Sequence, residues 1–269
     1  MVGEFWWAYL MLGAFAGFLA GLLGVGGGAV MVPVLTTIFI AEGFARTEVV
    51  HLALGTSMAA IVFTSISSLR AHHRHGAVVW RIVRGITPGI LAGTFAATFV
   101  ASRLPTTFLT LFFAVFMSYV AVQMLLNIKP KPHRELPGKL GLSSVGLGIG
   151  AVSALVAIGG GTMSVPFMTW CNVKTQHAIG TSAAIGLPIA LAGSFGYLIN
   201  GWGEPELPAW SFGYVFFPAL MLVVATSMLT APLGARMAHS LPVATLKRAF
   251  SGLLMLLVAK MLWSVFGSA

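Results

Sequence analysis

Two short stretches of this chain expose bare backbone inside apolar runs: Gly24-Val-Gly-Gly-Gly28-Ala-Val-Met-Val-Pro33 and Ile158-Gly-Gly-Gly161-Thr-Met-Ser-Val-Pro166. Glycine costs roughly 1 kcal/mol per residue in a helix relative to alanine, so neither triplet serves to make a good helix. What a triplet offers is N–H groups with no side chain in the way. A helix that begins just after it points its free N–H groups and positive dipole end back at the turn, which is an anion-binding arrangement. The chemistry on offer is recognition of negative charge.

Hydroxyl groups add to it. Gly55-Thr56-Ser57 and Gly180-Thr181-Ser182 repeat one pattern in the two halves of the chain, and Thr162 and Ser164 begin the segment after the second triplet where Ala29 and Met31 begin the first. The candidate substrate ligands are therefore Gly26, Gly27, Gly28, Thr56, Ser57, Gly159, Gly160, Gly161, Thr162, Thr181 and Ser182. The competing readings are structural: small residues let membrane helices pack closely, and buried Ser or Thr bonds back to the i−4 carbonyl.

Other polar residues carry less. His72, His73 and His75 lack the carboxylate neighbours that support metal-ligating histidines, and read as a solvated loop. Cys171 is the only cysteine, so no intramolecular disulfide exists, and a packing role is favoured over a redox one. His51, Asn172, Lys174, Gln176 and His177 sit at segment ends and read equally as loop-end or gate residues. Gln123 and Asn127 read as packing or interfacial groups, and Lys260 as a side chain that snorkels from a late apolar segment. No catalytic residue, metal or cofactor is called for.

The elements that position these residues are membrane helices. Of 269 residues 58% are hydrophobic and 8% charged, and the mean hydropathy is +0.94, whereas an ordinary globular chain carries about 25% charged residues. Apolar stretches of spanning length recur from end to end. Met1 to Leu10 contains Glu4 and no Lys or Arg, so a cleaved signal peptide is not expected. The net charge of +9 is the cationic excess of cytoplasmic loops rather than a nucleic-acid surface.

The glycine stretches anchor a longer repeat. Gly17 corresponds to Gly150, Leu22 to Leu155, Pro33 to Pro166, the Gly-Thr-Ser stretches to each other, and Leu104-Pro105 to Leu241-Pro242. This divides the chain into a first membrane repeat, 1–128, a cytoplasmic linker, 129–139, and a second repeat, 140–269. Clear spans are expected at 49–69, 85–102, 107–128, 177–200, 210–235 and 243–265.

Charge then sets orientation. The first connection holds Arg70, Arg74, Arg81 and Arg84, while its counterpart around Glu204 and Glu206 has no Lys or Arg, so equivalent loops face opposite sides. Inversion requires an odd number of crossings per half. Each half is thus a glycine-tipped helical hairpin plus three transmembrane helices, and the fold class is an all-α integral membrane protein of two inverted-topology repeats. On this arrangement all of the 15 Lys and Arg except Arg46, Arg103 and Lys260 lie on cytoplasmic segments. The hairpin arms, 5–23, 29–41 and 162–170, are unequal, which places the triplets inside the membrane.

The paired Gly-Gly-Gly-x-x-x-Val-Pro stretches, each followed by Gly-Thr-Ser, with a basic central linker, resemble the TauE/SafE family of sulfite and organosulfur anion exporters. The resemblance covers nearly the whole chain, and its motifs are specific for the family rather than for the substrate. It implies a multi-pass bacterial inner-membrane permease moving sulfite, sulfoacetate or related anions outward, with the lipid bilayer and a small anion as partners. By motif position its glycine-rich segments fall on Gly26 to Gly28 and Gly159 to Gly161. Ala29 for Thr162, and Ala157 for Gly24, depart from a symmetric site.

The residues agree on an anion. The chain has no Asp, and Glu4, Glu42, Glu48, Glu135, Glu204 and Glu206 all lie at or outside the expected interfaces, so no relay of buried acids is available. An anion channel is the alternative reading. A membrane-embedded hydrolase is weaker, because no histidine is repeated beside Ser57 or Ser182.

The charge pattern generates a labelling prediction. In a Cys171→Ala background, a cysteine beside Glu204 should react with an impermeant reagent from outside only, and one beside Arg74 from the cytoplasm only. The reverse result at Glu204 would sink the inverted arrangement.

Overall fold

The computed structural model describes residues 5–24, 27–126, 134–237 and 243–267. Glu4, Gly26, Asn127, Lys129, Lys131 and the Leu241-Pro242 pair fall outside the described residues. Helices dominate the rest: α1 Trp6–Leu23, α2 Gly28–Ala41, α3 Val49–Arg74, α4 Trp80–Ala101, α5 Thr106–Leu125, α6 Lys139–Val156, α7 Gly161–Trp170, α8 Thr175–Asn200, α9 Phe217–Met237 and α10 Val243–Phe266. In a medium without water every backbone N–H and C=O must be satisfied within the chain, and a helix does this within one segment.

Seven helices, α3, α4, α5, α6, α8, α9 and α10, are long and apolar enough to cross a membrane. α6 is among them although the sequence reading treats it as a hairpin arm. The expected span 210–235 begins later, at Phe217, because Ser211–Phe212 and Val215–Phe216 pair as a two-stranded ribbon. Trp210 and Gly213, both at positive φ, bend the chain there.

The helices pack through rows of small residues. Cβ atoms built on Gly13, Gly17 and Gly21 of α1 would collide with Val223, Ser227 and Ala231 of α9 in turn. Both residue numbers rise together, so α1 and α9 run parallel. On the other side Gly146 and Gly150 of α6 meet Ile86 and Ile90 of α4, again parallel. Glycine every fourth residue lines one helical face and lets backbones approach. Each hairpin's first arm is thus laid along a helix from the opposite half of the chain.

Between these pairs, α3 and α8 cross at the centre. Gly193 packs on Met58 and Gly186 on Ser65, so these two helices run antiparallel. Thr64 Oγ1 lies 3.1 Å from Ser227 Oγ, and Phe216 N lies 2.9 Å from Thr56 Oγ1, so α3 runs parallel to α9. A single apolar core joins both halves, including Leu22, Met31, Leu54, Met58, Ile158 and Ile185. α5 and α10 close the outside of the bundle against one another.

Overpacking should therefore be severe at the helix rows and harmless elsewhere. A Cβ on Gly89 would sit 1.7 Å from the Ser143 carbonyl oxygen and one on Gly234 1.9 Å from that of Phe18, whereas nothing approaches Gly148. Gly89→Val and Gly234→Val should each cost about 1–3 kcal/mol or more, read as a lower melting temperature in detergent. Gly148→Val should melt like the parent protein.

Candidate functional site

Both hairpins turn by the same backbone device. α1 ends at Gly24 (φ 67°) and α2 is entered through Gly27 (φ 79°); α6 ends at Ala157 (φ 46°) and α7 is entered through Gly160 (φ 78°). Left-handed backbone at both ends of the turn reverses the chain within a few residues, and glycine is the residue that adopts it without penalty. Ala157 adopts it with a side chain, at a cost of order 1–2 kcal/mol, and is held there fully buried.

The two turns meet. A Cβ on Gly28 would sit 1.6 Å from the Ala157 carbonyl oxygen, so only glycine lets the first return arm start against the end of the second hairpin's first arm. Behind this contact, Ser164 Oγ donates to Ser182 Oγ at 2.9 Å, and Ser182 Oγ donates to the Gly24 carbonyl at 3.1 Å. That chain ties α7 and α8 to the first turn. Met31 stands where Ser164 does in the other half, and there Ser57 is buried with no hydrogen-bond partner.

Neither return arm has a side-chain cap. The first amides bonded to a preceding carbonyl are those of Val30 and Met31, to Gly27, and those of Met163 and Ser164, to Gly160. The N–H groups of Gly28, Ala29, Gly161 and Thr162 precede them and have no carbonyl within their own arm. The Thr162 hydroxyl, also buried, has no partner either.

A narrow cavity touches both turns. It is lined by Gly24 of the first, Gly159 of the second, Thr64, Ser65 and Ser68 of α3, and Gly186 of α8, with room for about one water molecule. Ser68 is buried and its hydroxyl is unpartnered. Sequence reasoning missed these three hydroxyls. The signal was present as Thr64-Ser65-Ile-Ser67-Ser68 within one span, but the corresponding stretch of α8, Ile189-Ala190-Leu-Ala192-Gly193, has none, so a search for repetition passes over it.

Thr56 and Thr181 hold other positions. Thr56 Oγ1 accepts the Phe216 N–H and Thr181 Oγ1 accepts the Val79 N–H, each at 2.9 Å. A Cβ on Gly55 would meet the Tyr214 carbonyl at 2.0 Å and one on Gly180 the Ala77 carbonyl at 2.6 Å. Each Gly-Thr pair therefore clamps the connecting loop of the opposite half. A second matched pair ties α3 to α1 and α8 to α6: His72 Nε2 is 3.1 Å from the Gly21 carbonyl, and Tyr197 donates to the Ala154 carbonyl at 2.9 Å.

That contact corrects the reading of His72 as part of a solvated loop. α3 runs on to Arg74, and its phase turns His72 inward to full burial while His73 and His75 stay exposed. His51 is likewise a buried tie, its Nε2 3.0 Å from the Leu104 carbonyl and its Nδ1 3.5 Å from Glu48, with its ring stacked on Tyr214. Burial raises the Tyr214 phenol above its ordinary range, and Glu48 and Glu204 add to it. Gln176 and Lys260 are exposed, and burial raises the Cys171 thiol, which suits an unreactive packing residue.

Comparison with known proteins decides the family. The model of the sulfite exporter TauE/SafE family matches residues 9–261. The chain belongs to this family. A probable membrane transporter protein of Haemophilus influenzae is 39% identical to it over 254 residues, covering 94% of this chain and 96% of the relative. The probable membrane transporter protein YdhB of Bacillus subtilis is 26% identical, with 87% and 90% covered, and MJ0441 of Methanocaldococcus jannaschii, also a probable membrane transporter protein, is 24% identical, with 84% and 83% covered. No solved structure matches the chain. This TauE/SafE protein is a multi-pass membrane transporter, and its paired glycine turns lie inside the helix bundle.

The two kinds of hydroxyl should separate on substitution. Thr56→Val and Thr181→Val each strand a backbone N–H and should cost about 1–3 kcal/mol, read as a lower melting temperature in detergent. Thr162→Val removes a hydroxyl that has no partner and should leave the melting temperature unchanged or raised.

Proposed function

We propose that this transporter exports small sulfur-containing anions such as sulfite or an organic sulfonate, held where the two glycine turns meet. The observation that carries the reading is the pair of uncapped arms, α2 and α7, which leave turns that meet where Gly28 seats against the Ala157 carbonyl. Oriented amides and the positive helix ends favour an anion there, in surroundings of low dielectric that strengthen the attraction. The Thr162 hydroxyl supplies a further donor and Ser57 another, so the ligand set runs through Gly27, Gly28, Gly159, Gly160, Gly161 and the hydroxyls.

The chain is organised as two inverted repeats, 1–128 and 140–269, joined by a cytoplasmic linker. The antiparallel run of α3 against α8, its repeat counterpart, supports this, as do the reciprocal loop clamps at Thr56 and Thr181. A contact as close as that of Gly28 with Ala157 leaves no open pore, which supports a carrier over a channel. With the cytoplasm negative, moving one negative charge outward gains about 2.3 kcal/mol per 100 mV, so export needs no coupled proton.

The test is flux of labelled sulfite, thiosulfate, sulfate and sulfoacetate in proteoliposomes under an imposed potential. Flux above empty liposomes with saturation is expected. Thr162→Val should weaken affinity roughly ten- to a hundredfold, the value of one hydrogen bond to a charged group. Absence of flux for every anion would overturn the reading, and unitary currents would replace the carrier by a channel.

A further inference from the structure

The end of the bundle that carries Glu42, Glu48 and the 201–216 connection gathers titratable groups away from the glycine turns. Tyr9 donates to Glu42 at 2.8 Å, Thr47 donates to Glu206, and His51, Glu48 and Tyr214 form a third set. Phe39, Phe44 and Phe216 pack ring to ring beside them, with Tyr9 on Phe39. Tyr9, Phe39, Tyr214 and Phe216 are buried, so this end of the bundle is plugged.

His51 carries a proton on Nε2, because both groups facing that nitrogen are carbonyls, Leu104 at 3.0 Å and Ala101 at 3.2 Å. In the neutral ring Nδ1 is then a lone pair, and what faces it at 3.5 Å is a Glu48 carboxylate oxygen, a second acceptor. Both atoms are buried without a hydrogen-bond partner. Two acceptors turned to each other out of reach of water are unfavourable, and one added proton satisfies both. The Glu48 side chain keeps 19% of its surface exposed and so opens a path for that proton from this end.

The other titratable groups around the pair are engaged or turned to solvent. Tyr214, stacked on the His51 ring, donates to Glu48, and Tyr197 meets the Tyr214 ring edge-on while donating to the Ala154 carbonyl. Glu204 is half-buried, and Arg46, Arg103 and Glu206 are exposed, as are Tyr119 on α5 and Lys260 on α10. The charged groups at the end of α3 and the starts of α4 and α8, Arg70 to Arg74, Arg81, Arg84 and His177, belong to the opposite end of the bundle.

We propose that His51 and Glu48 form a proton-binding site that latches this end of the transporter shut. With the proton bound, Nε2–H holds the start of α3 to the α4–α5 connection, Nδ1–H holds Glu48, and the Tyr214 ribbon is drawn onto the imidazole. Without it the Nδ1 contact becomes repulsive, and the ribbon that carries Tyr214 and Phe216 into the plug is loosened. Histidine is the side chain whose ordinary charge change falls between about pH 5 and 8, which gives the latch its working range. The repeat counterpart of His51 is Gln176, exposed and unable to titrate, so the device belongs to one half. The pair lies about 15 Å along α3 from Ile61, which touches Gly28, so the proton acts on the closed end and not on the anion. The gating role rests on the carrier reading above; the proton site does not.

The experiment compares the full-length parent with His51→Gln, which keeps a donor for the carbonyls but cannot titrate, and with Glu48→Gln, whose amide can donate to Nδ1 without a bound proton. In detergent the parent's melting temperature should fall relative to both variants as pH rises from about 5 to 8, because only the parent loses a bound proton. In proteoliposomes with equal pH on both sides, flux of methanesulfonate, which stays singly charged throughout, should rise about tenfold over that range in the parent and stay level in both variants. The two variants are independent, so either one that folds suffices for the comparison. Melting temperatures of parent and variant that run parallel with pH would overturn the proton site. Parent flux that holds level or falls with rising pH, beside diverging melting temperatures, would overturn the latch and leave the carrier standing. Absence of flux for methanesulfonate and for every other anion at all pH values would remove the carrier and the latch together, while the melting temperatures still decide the proton site.

Discussion

A polypeptide that reverses direction inside a membrane must leave amides without carbonyl partners, and that constraint organises the molecule. Water cannot satisfy them at that depth, so such a turn survives only where protein or a polar cavity surrounds it. Here the surroundings come from the second turn and from α3 and α8. The Gly28 backbone seats against the Ala157 carbonyl, Ser182 reaches the Gly24 carbonyl, and a hydroxyl-lined cavity touches both hairpins. The glycine rows of α1 and α6 serve the same end, since arms pressed close to α9 and α4 fix where the turns fall.

The frame is reciprocal while the side chains it carries are not. Gly24 and Ala157, Thr56 and Thr181, and the Gly21 and Ala154 carbonyls occupy matching roles, which is why the two turns arrive together. Yet Tyr197 donates where His72 does, Ser164 sits where Met31 does, and α3 carries Thr64, Ser65 and Ser68 against a bare stretch of α8. Duplicated backbone geometry constrains positions. It leaves each half free to carry different side chains, so the buried Thr162 hydroxyl opens α7 while α3 supplies the hydroxyls beside the cavity.

Much of this was legible beforehand because membrane helices announce themselves. Apolar runs, the glycine triplets and the motif repeat locate the helices, with α3 running five residues past and α4 starting five residues before the expected bounds, and α9 starting later, where Trp210 and Gly213 bend the chain into a ribbon. The family could be read from the same motifs. Less legible were facts that depend on helix phase: His72, embedded in His72-His73-Arg74-His75, looks solvated until the continuation of α3 decides which of the four turns inward. Thr56 and Thr181 carry the right chemistry for a ligand, but only the packing of the opposite loops reveals that each already accepts a backbone N–H.

The unpaired groups are the most informative for that reason. Buried polar atoms in folded proteins are satisfied in the great majority of cases, so each exception points to strain, water or a ligand. Thr36, Ser57, Ser68, Thr94 and Thr162 all carry unpartnered buried hydroxyls, but they do not weigh equally. Thr36 and Thr94 line neither turn nor cavity. Ser57 lies one helical turn before Ile61, which touches Gly28; Ser68 lines the cavity; Thr162 opens a return arm. Under the reading proposed above, the cost of these three unmade hydrogen bonds, near turns with no buried Lys or Arg among the described residues, is what a bound anion would offset.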